Sequence, residues 1–361
     1  VNSTASDEHA QLRRVQSANY SFNITRQDIN QFGQLSRLEA IILESPTVSF
    51  DSSYYLGDGY NEQVLSFAND TNFNVGFISG QLTAGSGQNL YILTAEEGSD
   101  ANFNPTSTGY STIGVGNAFL TDYSLEASVG GIPTVNISFE GANMNATAGV
   151  SGSSIGYSGI NGVGIDPENG TILTSQENGS VVFPAAEEGT GAAIPTALRP
   201  GDITLSLSSA DSSTIVNLTG AGSAHVQSIS MSIPLSRTPI DKLGTRFSFA
   251  RVVDFPITPS LSVSAIVSET DTKSLADLIN GDDFIDELQF SFADPDSNLK
   301  SSYKMTKLKL DSESFSSSIG PNKTVDLTFS LSIGGPNDDV NNVFFSGSNN
   351  TTVLGNARTS L

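Results

Sequence analysis

The residues able to do chemistry in this chain are few and badly placed for it. Gly152-Ser-Ser-Ile-Gly156 has the spelling of a nucleophile elbow. That device needs a strand before the serine, a helix after it and a histidine to take the proton. Here it falls in a Gly- and Ser-rich linking stretch, and the chain's two histidines are His9 and His225, the latter at the head of a strand pattern. Asp294-Pro-Asp296-Ser-Asn298 and Asp166-Pro-Glu168-Asn169 offer oxygens to Ca²⁺. Neither has the spacing of a twelve-residue calcium loop with its closing glutamate, and turn chemistry accounts for both. Glu96-Glu97 and Asp282-Asp283 lie on expected loops, where adjacent side chains face apart and cannot converge on a glycosidic bond. With no cysteine there is neither disulfide nor thiolate metal site. No Gly-rich phosphate loop carries a lysine. The expectation is a chain without enzymatic activity, cofactor or metal.

Two groups of residues are better suited to binding. Arg26 and Arg237 recur at one place in a repeated pattern, in regions otherwise poor in cations. An arginine fork can hold a carboxylate bidentately and fix a contact between subunits, or form an ion pair within its own domain. Tyr54, Tyr55 and Tyr60 crowd around Gly57-Asp58-Gly59. They read as the tip of a long hairpin spanning 51–60, either an interface anchor or packing internal to that hairpin.

The elements that must position these residues come in duplicate. Val15-Gln-Ser17 returns as Val226-Gln-Ser228, and Arg26, Ile29 and Gly33 return 211 residues later as Arg237, Ile240 and Gly244. Leu90–Ala95 lines up with Leu288–Ala293, and Thr134–Phe139 with Thr324–Phe329, so Phe139 and Phe329 close the same motif. The order is kept while the offset shrinks. Period-2 alternation marks strands at 17–24, 38–43, 48–50, 90–95, 118–128 and 133–140, with repeats of the last two at 307–318 and 323–332. Residues 61–67 and their counterpart 273–279 read as short helices. The fold class is therefore mainly β: two tandem copies of a β-sandwich or open barrel, each with one short helix. The expected division is a first β domain over 1–147, an inserted or linking segment over 148–223 with a hairpin near 201–218, a second β domain over 224–345, and an Asn-rich tail over 346–361.

Charge narrows the partners. The chain has 361 residues and a formal net charge of -22, and no Lys, Arg or His occurs between Leu38 and Leu198. Such a stretch cannot neutralise phosphates, which excludes tight nucleic-acid binding. It reads as a solvated acidic surface or as a wall that DNA slides past. No apolar run approaches the roughly 20 residues of a membrane span, and no charged-then-apolar leader opens the sequence, so a soluble product made without a signal peptide is expected. Asn-x-Ser/Thr sequons, including those at Asn23, Asn136 and Asn217, are what chance provides in so Asn- and Ser-rich a composition.

Gly116-Asn-Ala-Phe-Leu-Thr-Asp-Tyr-Ser-Leu-Glu-Ala-Ser-Val-Gly-Gly-Ile-Pro-Thr-Val-Asn-Ile-Ser-Phe-Glu-Gly-Ala-Asn143 resembles the hairpin of tail tube proteins from long-tailed bacteriophages. Ala197–Ile203 and the stretches His225–Ser228 and Pro234–Arg237 look like pieces of the same kind of virion protein. The resemblance implies a subunit that joins strands with its neighbours into one inner barrel, in rings stacked as a hollow tube. Most such rings hold six single-domain subunits, so a two-domain chain implies homotrimeric, pseudo-sixfold rings. It also implies other tail proteins as partners, DNA passing through without specific binding, and a place in the phage tail, assembled in the host bacterial cytoplasm. Two rivals stay open: another virion β protein (baseplate, terminator or capsid decoration), and a carbohydrate-binding surface sandwich, against which the absence of Trp speaks.

Overall fold

The computed structural model describes residues 10–172 except 44, 84–86, 100, 102–107 and 154–155; then 180–183, 198, 208–209 and 216–218; then 226–349 except 249, 267–269, 273–283, 295, 297, 317–322 and 336–337. The protein is mainly β and antiparallel. In the first repeat, β1 (Val15–Asn23), β4 (Thr47–Tyr55), β7 (Thr134–Gly141) and the second half of β6 (Thr108–Ser128) are adjacent in that order. The first half of β6 belongs to a flanking sheet with β5 (Gln88–Thr94) and β8 (Asn143–Ser153), extended by β9 (Gly156–Asn161) and β10 (Ser180–Phe183). A separate hairpin pairs β2 (Arg26–Ile29) with β3 (Glu39–Ile42), and two one-turn helices, α1 (Tyr60–Val64) and α2 (Ser79–Thr83), follow β4.

The second repeat copies this plan down to its irregularities. Its strands are β13 (Val226–Pro234), β14 (Arg237–Ile240), β15 (Ala250–Val253), β16 (Ser260–Ile266), β18 (Ile285–Ala293), β19 (Leu299–Ser316), β20 (Thr324–Ser330) and β21 (Val343–Gly347). Pairing of β1 with β4 slips between Val15 and Ser17, and pairing of β13 with β16 slips at the counterparts Val226 and Ser228. The β6–β7 ladder is bulged between Leu120 and Asp122, the β19–β20 ladder between Leu310 and Ser312. Where each long strand leaves one sheet for the other, a residue with positive φ makes the bend, Asn117 (51°) and its counterpart Lys307 (56°). Bulges and bends of this sort re-aim strands and do not recur by accident. The two repeats lie side by side, giving the continuous order β1-β4-β7-β6-β13-β16-β20-β19.

Alternation explains the packing. On this eight-stranded sheet Val48, Phe50, Tyr54, Leu125, Ile137, Phe139, Met231, Val263, Leu327 and Phe329 turn inward. They join residues of the flanking sheets, and Leu56, Leu65 and Phe67 on either side of α1, in one cluster that runs through both repeats. Full burial of each such aliphatic or aromatic side chain contributes about 1.5–3 kcal/mol. Phe77 stacks on Phe67 at 4.2 Å and meets Tyr303 and Phe345 of the second repeat at 6.0 and 5.3 Å, so the repeats share a core.

In three stretches the structure differs from the sequence pattern. Residues 51–60 are not a hairpin tip: β4 continues through Tyr55, because Ser52 and Tyr54 carry on the inward alternation of Val48 and Phe50, and Gly59 (φ 89°) then starts α1. In the Gly- and Ser-rich stretch after residue 149, where the sequence carries no strong core pattern, β8 runs past residue 147 and β9 pairs back on it, with Tyr110, Val150 and Ile160 as a small core of their own. In the hairpin expected near 201–218, the described strands β11 (Ser208–Ser209) and β12 (Val216–Leu218) pair with β18 and with β17 (Thr270–Thr272) of the second repeat. The expected helix at 273–279 lies outside the described residues.

Candidate assembly surface

The eight-stranded sheet turns its other face to solvent, and that face is built from short hydroxyl, amide and carboxylate side chains. Ser230, Ser262 and Asp326 are exposed between the buried Ile229, Met231, Val263 and Leu327. The register sets Ser230 against Glu126 and Ser262, and Ser262 against Thr328. The same layout holds in the first repeat, where Asp51 lies between Asn19 and Ser138 and takes a hydrogen bond of 2.6 Å from the Ser138 hydroxyl. The charged residues spaced over this face are chiefly acidic: Asp51, Asp122, Glu126, Glu140 and Asp326. Partial burial raises the Asp122 carboxyl above its ordinary range, which a hydrogen bond from the Ser232 hydroxyl partly offsets.

The two ends of this sheet are unequal in sequence but equivalent in place. Within the chain the repeats are joined by β6 and β13, from Ser128 opposite Ser228 to Asp122 opposite Pro234. The outer strands are β1, the counterpart of β13, and the second half of β19, the counterpart of β6. Among the described residues, no strand pairs with the outer edge of β1 or with the outer edge of β19 beyond Lys309. Met231 and Leu125 face each other at the internal junction with 0% exposure, whereas their counterparts Tyr20 and Phe315 are 38% and 59% exposed, and Phe22, the counterpart of the buried Ile233, is 55% exposed.

The arginines occupy the same strand position, Arg26 opposite Ile42 and Arg237 opposite Val253, but different surroundings. Arg26 is exposed. Arg237 is half-buried over the Phe119 ring and donates to three carbonyl oxygens, those of Leu120, Gln81 and Arg251. Burial first, and the nearby Arg251 second, bring its guanidinium down to about 10. It thus ties the second repeat to β6 and α2 of the first, holding backbone where a carboxylate was expected. Arg251 in turn pairs with Glu140. Gly33 (φ 92°) and Gly244 (φ 93°) turn the equivalent hairpins β2–β3 and β14–β15, and Phe32 and Leu243, which precede them, are fully exposed. Phe139 and Phe329 are buried at matching register positions, opposite Leu120 and Leu310.

Tyr54 is buried rather than presented to a partner: its hydroxyl donates to the Glu62 carboxylate at 2.9 Å. Tyr55, the last residue of β4, is half-buried. Tyr60 stacks under the Arg13 guanidinium at 3.7 Å. What the sequence reading missed is Glu62 itself, a fully buried residue of α1. The Tyr123 hydroxyl approaches it at 3.4 Å and is hydrogen-bonded to Tyr303 at 2.8 Å, so a chain of hydroxyls links one buried carboxyl to both repeats. Burial pushes Glu62 up to about 7, against the opposing effect of its hydrogen bonds.

Among the described residues, none of the catalytic spellings is assembled. Gly152 and Ser153 end β8 and Gly156 opens β9, so strand follows where an elbow needs helix, while Ser154 and Ile155 lie outside the described residues. Asp294 accepts from the Asp296 and Asn298 amides, and Asp166 from the Glu168 amide and the Asn169 side chain, so both carboxylates cap their own turns. Glu96 lies in a turn after β5, accepting from the Ser99 amide through its carbonyl. His9, His225, Asp282 and Asp283 lie outside the described residues. Among those described, no group of three or more His, Cys, Asp or Glu could hold a metal, and no helix is long and apolar enough to cross a membrane. No protein family and no curated protein matches the chain.

Proposed function

We propose that this chain is a structural subunit that polymerises into a hollow tube, the tail tube of a long-tailed bacteriophage, with three chains to a ring and DNA passing through the bore. The observation that carries this reading is the side-by-side placement of the repeats in one sheet with a hydroxyl- and carboxylate-lined free face. The strand order runs in the same sense in both repeats, so the operation relating them is head-to-tail. Repeating such an operation closes a ring or winds a helix. Three chains would supply twenty-four inner strands, and at ~4.8 Å per strand and ~40° tilt they enclose roughly 50 Å from backbone to backbone. That is ample for a DNA duplex after side chains are subtracted. A wall of serines and carboxylates offers phosphates neither counter-charge nor apolar grip, which suits a conduit from which DNA must leave. Catalysis, a cofactor and a membrane have no part in this function.

Negative-stain electron microscopy of the purified chain tests it. Tubes with a stain-filled centre are expected at high protein concentration. Monodisperse monomers under all conditions overturn the proposal, and a preparation that binds glycans while remaining monomeric replaces it with a surface binding module.

A further inference from the structure

We infer that the outer edge of β19 in one copy of this chain pairs, antiparallel, with the outer edge of β1 in the next, in the register with which β6 meets β13 inside a single chain. The inference rests on the self-assembling reading above and specifies its interface residue by residue. Carrying the internal ladder over to the free edges sets Asn19 opposite Ser316, Tyr20 opposite Phe315, and Asn23 opposite Ser312. The amide of Leu235 donating to the Thr121 carbonyl at the end of the internal ladder becomes Ile24 donating to Asp311.

Three independent features of the chain favour this occupant. First, the edges are already shaped for each other: β1 keeps the bulge of β13, and β19 keeps the bend and bulge of β6, so neither backbone needs to change. Second, the side chains that would meet are the ones left exposed, Tyr20 and Phe315, where the internal junction buries Met231 and Leu125. An aromatic pair across an antiparallel ladder is among the more favourable cross-strand contacts. Third, a row of unpaired amides and carbonyls on a long edge strand is a template for another strand, and here neither edge carries the proline, lysine or inward charge that blunts such edges over 19–23 and 312–316, apart from Glu313.

The chain has no cysteine, so cysteine pairs report the register without background. Ser21→Cys with Ser314→Cys places two thiols directly opposite, within the Cα separation a disulfide tolerates. Asn23→Cys with Ser316→Cys is the control, four residues out of register. Under mild oxidation the matched pair is expected to give a covalent ladder ending at the closed ring, with roughly tenfold more product than the control. Neither single variant should cross-link, because a head-to-tail contact never apposes a residue with itself. Equal or greater yield from the control overturns the register, and dimers from a single variant overturn the head-to-tail geometry. If tubes form while the control cross-links, this interface falls and the tube reading stands. If the matched pair cross-links into filaments without a bore, the interface stands and the tube reading falls. Failure to associate at any concentration removes both.

Discussion

At the scale of single residues, the most unusual group is Glu62, a carboxyl sealed against Tyr54 and Tyr123. Its folded value of about 7 lies above the ordinary 4.5, so the folded state holds a proton that the unfolded state has released between those limits. The contribution of this site to stability is therefore complete below the ordinary carboxylate range and is lost as pH rises toward about 7, by roughly 3 kcal/mol at most. Glu62→Gln keeps the shape and removes the charge. Denaturation followed by tyrosine fluorescence, uncomplicated by tryptophan, is expected to show the variant gaining stability over the parent as pH rises from 5 to 8. A constant difference across that range would refute the assignment. The two arginines make a second comparison. Arg237→Ala takes this donor from three part-buried carbonyl acceptors and is expected to cost about 2–3 kcal/mol of unfolding free energy, read from denaturation curves. Arg26→Ala, at the same repeat position but exposed, should fall within about 0.5 kcal/mol of the parent. The repeat made the pair visible in the sequence, but its inequality depends on α2 and β6, which approach only Arg237.

At the scale of elements, legibility followed hydrophobic alternation. β1, β7, β13 and β20 carry apolar residues at alternate positions, and a face that must be buried leaves period 2 in the sequence. Residues 51–55 were misread because their outward positions hold Asp and Ser and their inward ones Ser and Tyr, a polar spelling of the same alternation. β8 and β9 were hidden for another reason: small residues and the positive-φ Gly149 and Gly159 give them no apolar signature, and what holds them is the pairing of β8 with β6 and of β9 with β8. The bend at Lys307 could not be read, since Lys carries no signal for a left-handed backbone, and at Asn117 the signal is a single residue of a type common throughout the chain. The bends offer a test. Asn117→Val forces a β-branched residue into positive φ and is expected to destabilise by about 1–2 kcal/mol, whereas Asn117→Gly relieves the backbone but gives up the side-chain hydrogen bonds to Ile165. Thermal melts of the two should separate in that order, with Val the lower; equal melting temperatures would mean the bend is not fixed at this residue.

At the scale of the molecule, two copies of one β unit are fused so that one edge of each is satisfied and one is left. The shared core around Phe77, Tyr303 and Phe345 packs the two repeats against each other, as the proposed ring would require of a fused pair. Phe315→Glu is expected to leave the melting temperature within about 2 °C of the parent, since the side chain is already exposed. It should also abolish sedimentation of assembled material, by burying a second carboxylate beside Glu313 at the joint. Loss of folding, or assembly that proceeds unimpaired, would argue against a role for this edge.

The amino-acid sequence alone determined the strand content, the duplication and the acidic, cation-poor composition, because each is a property of residue type or of spacing along the chain. Which edges stay open was decided in three dimensions. So was the burial of Tyr54 and the exposure of Tyr20, two tyrosines with similar neighbours in sequence. An edge strand and an interior strand share the same alternation, and only the presence or absence of a neighbouring backbone in space distinguishes them.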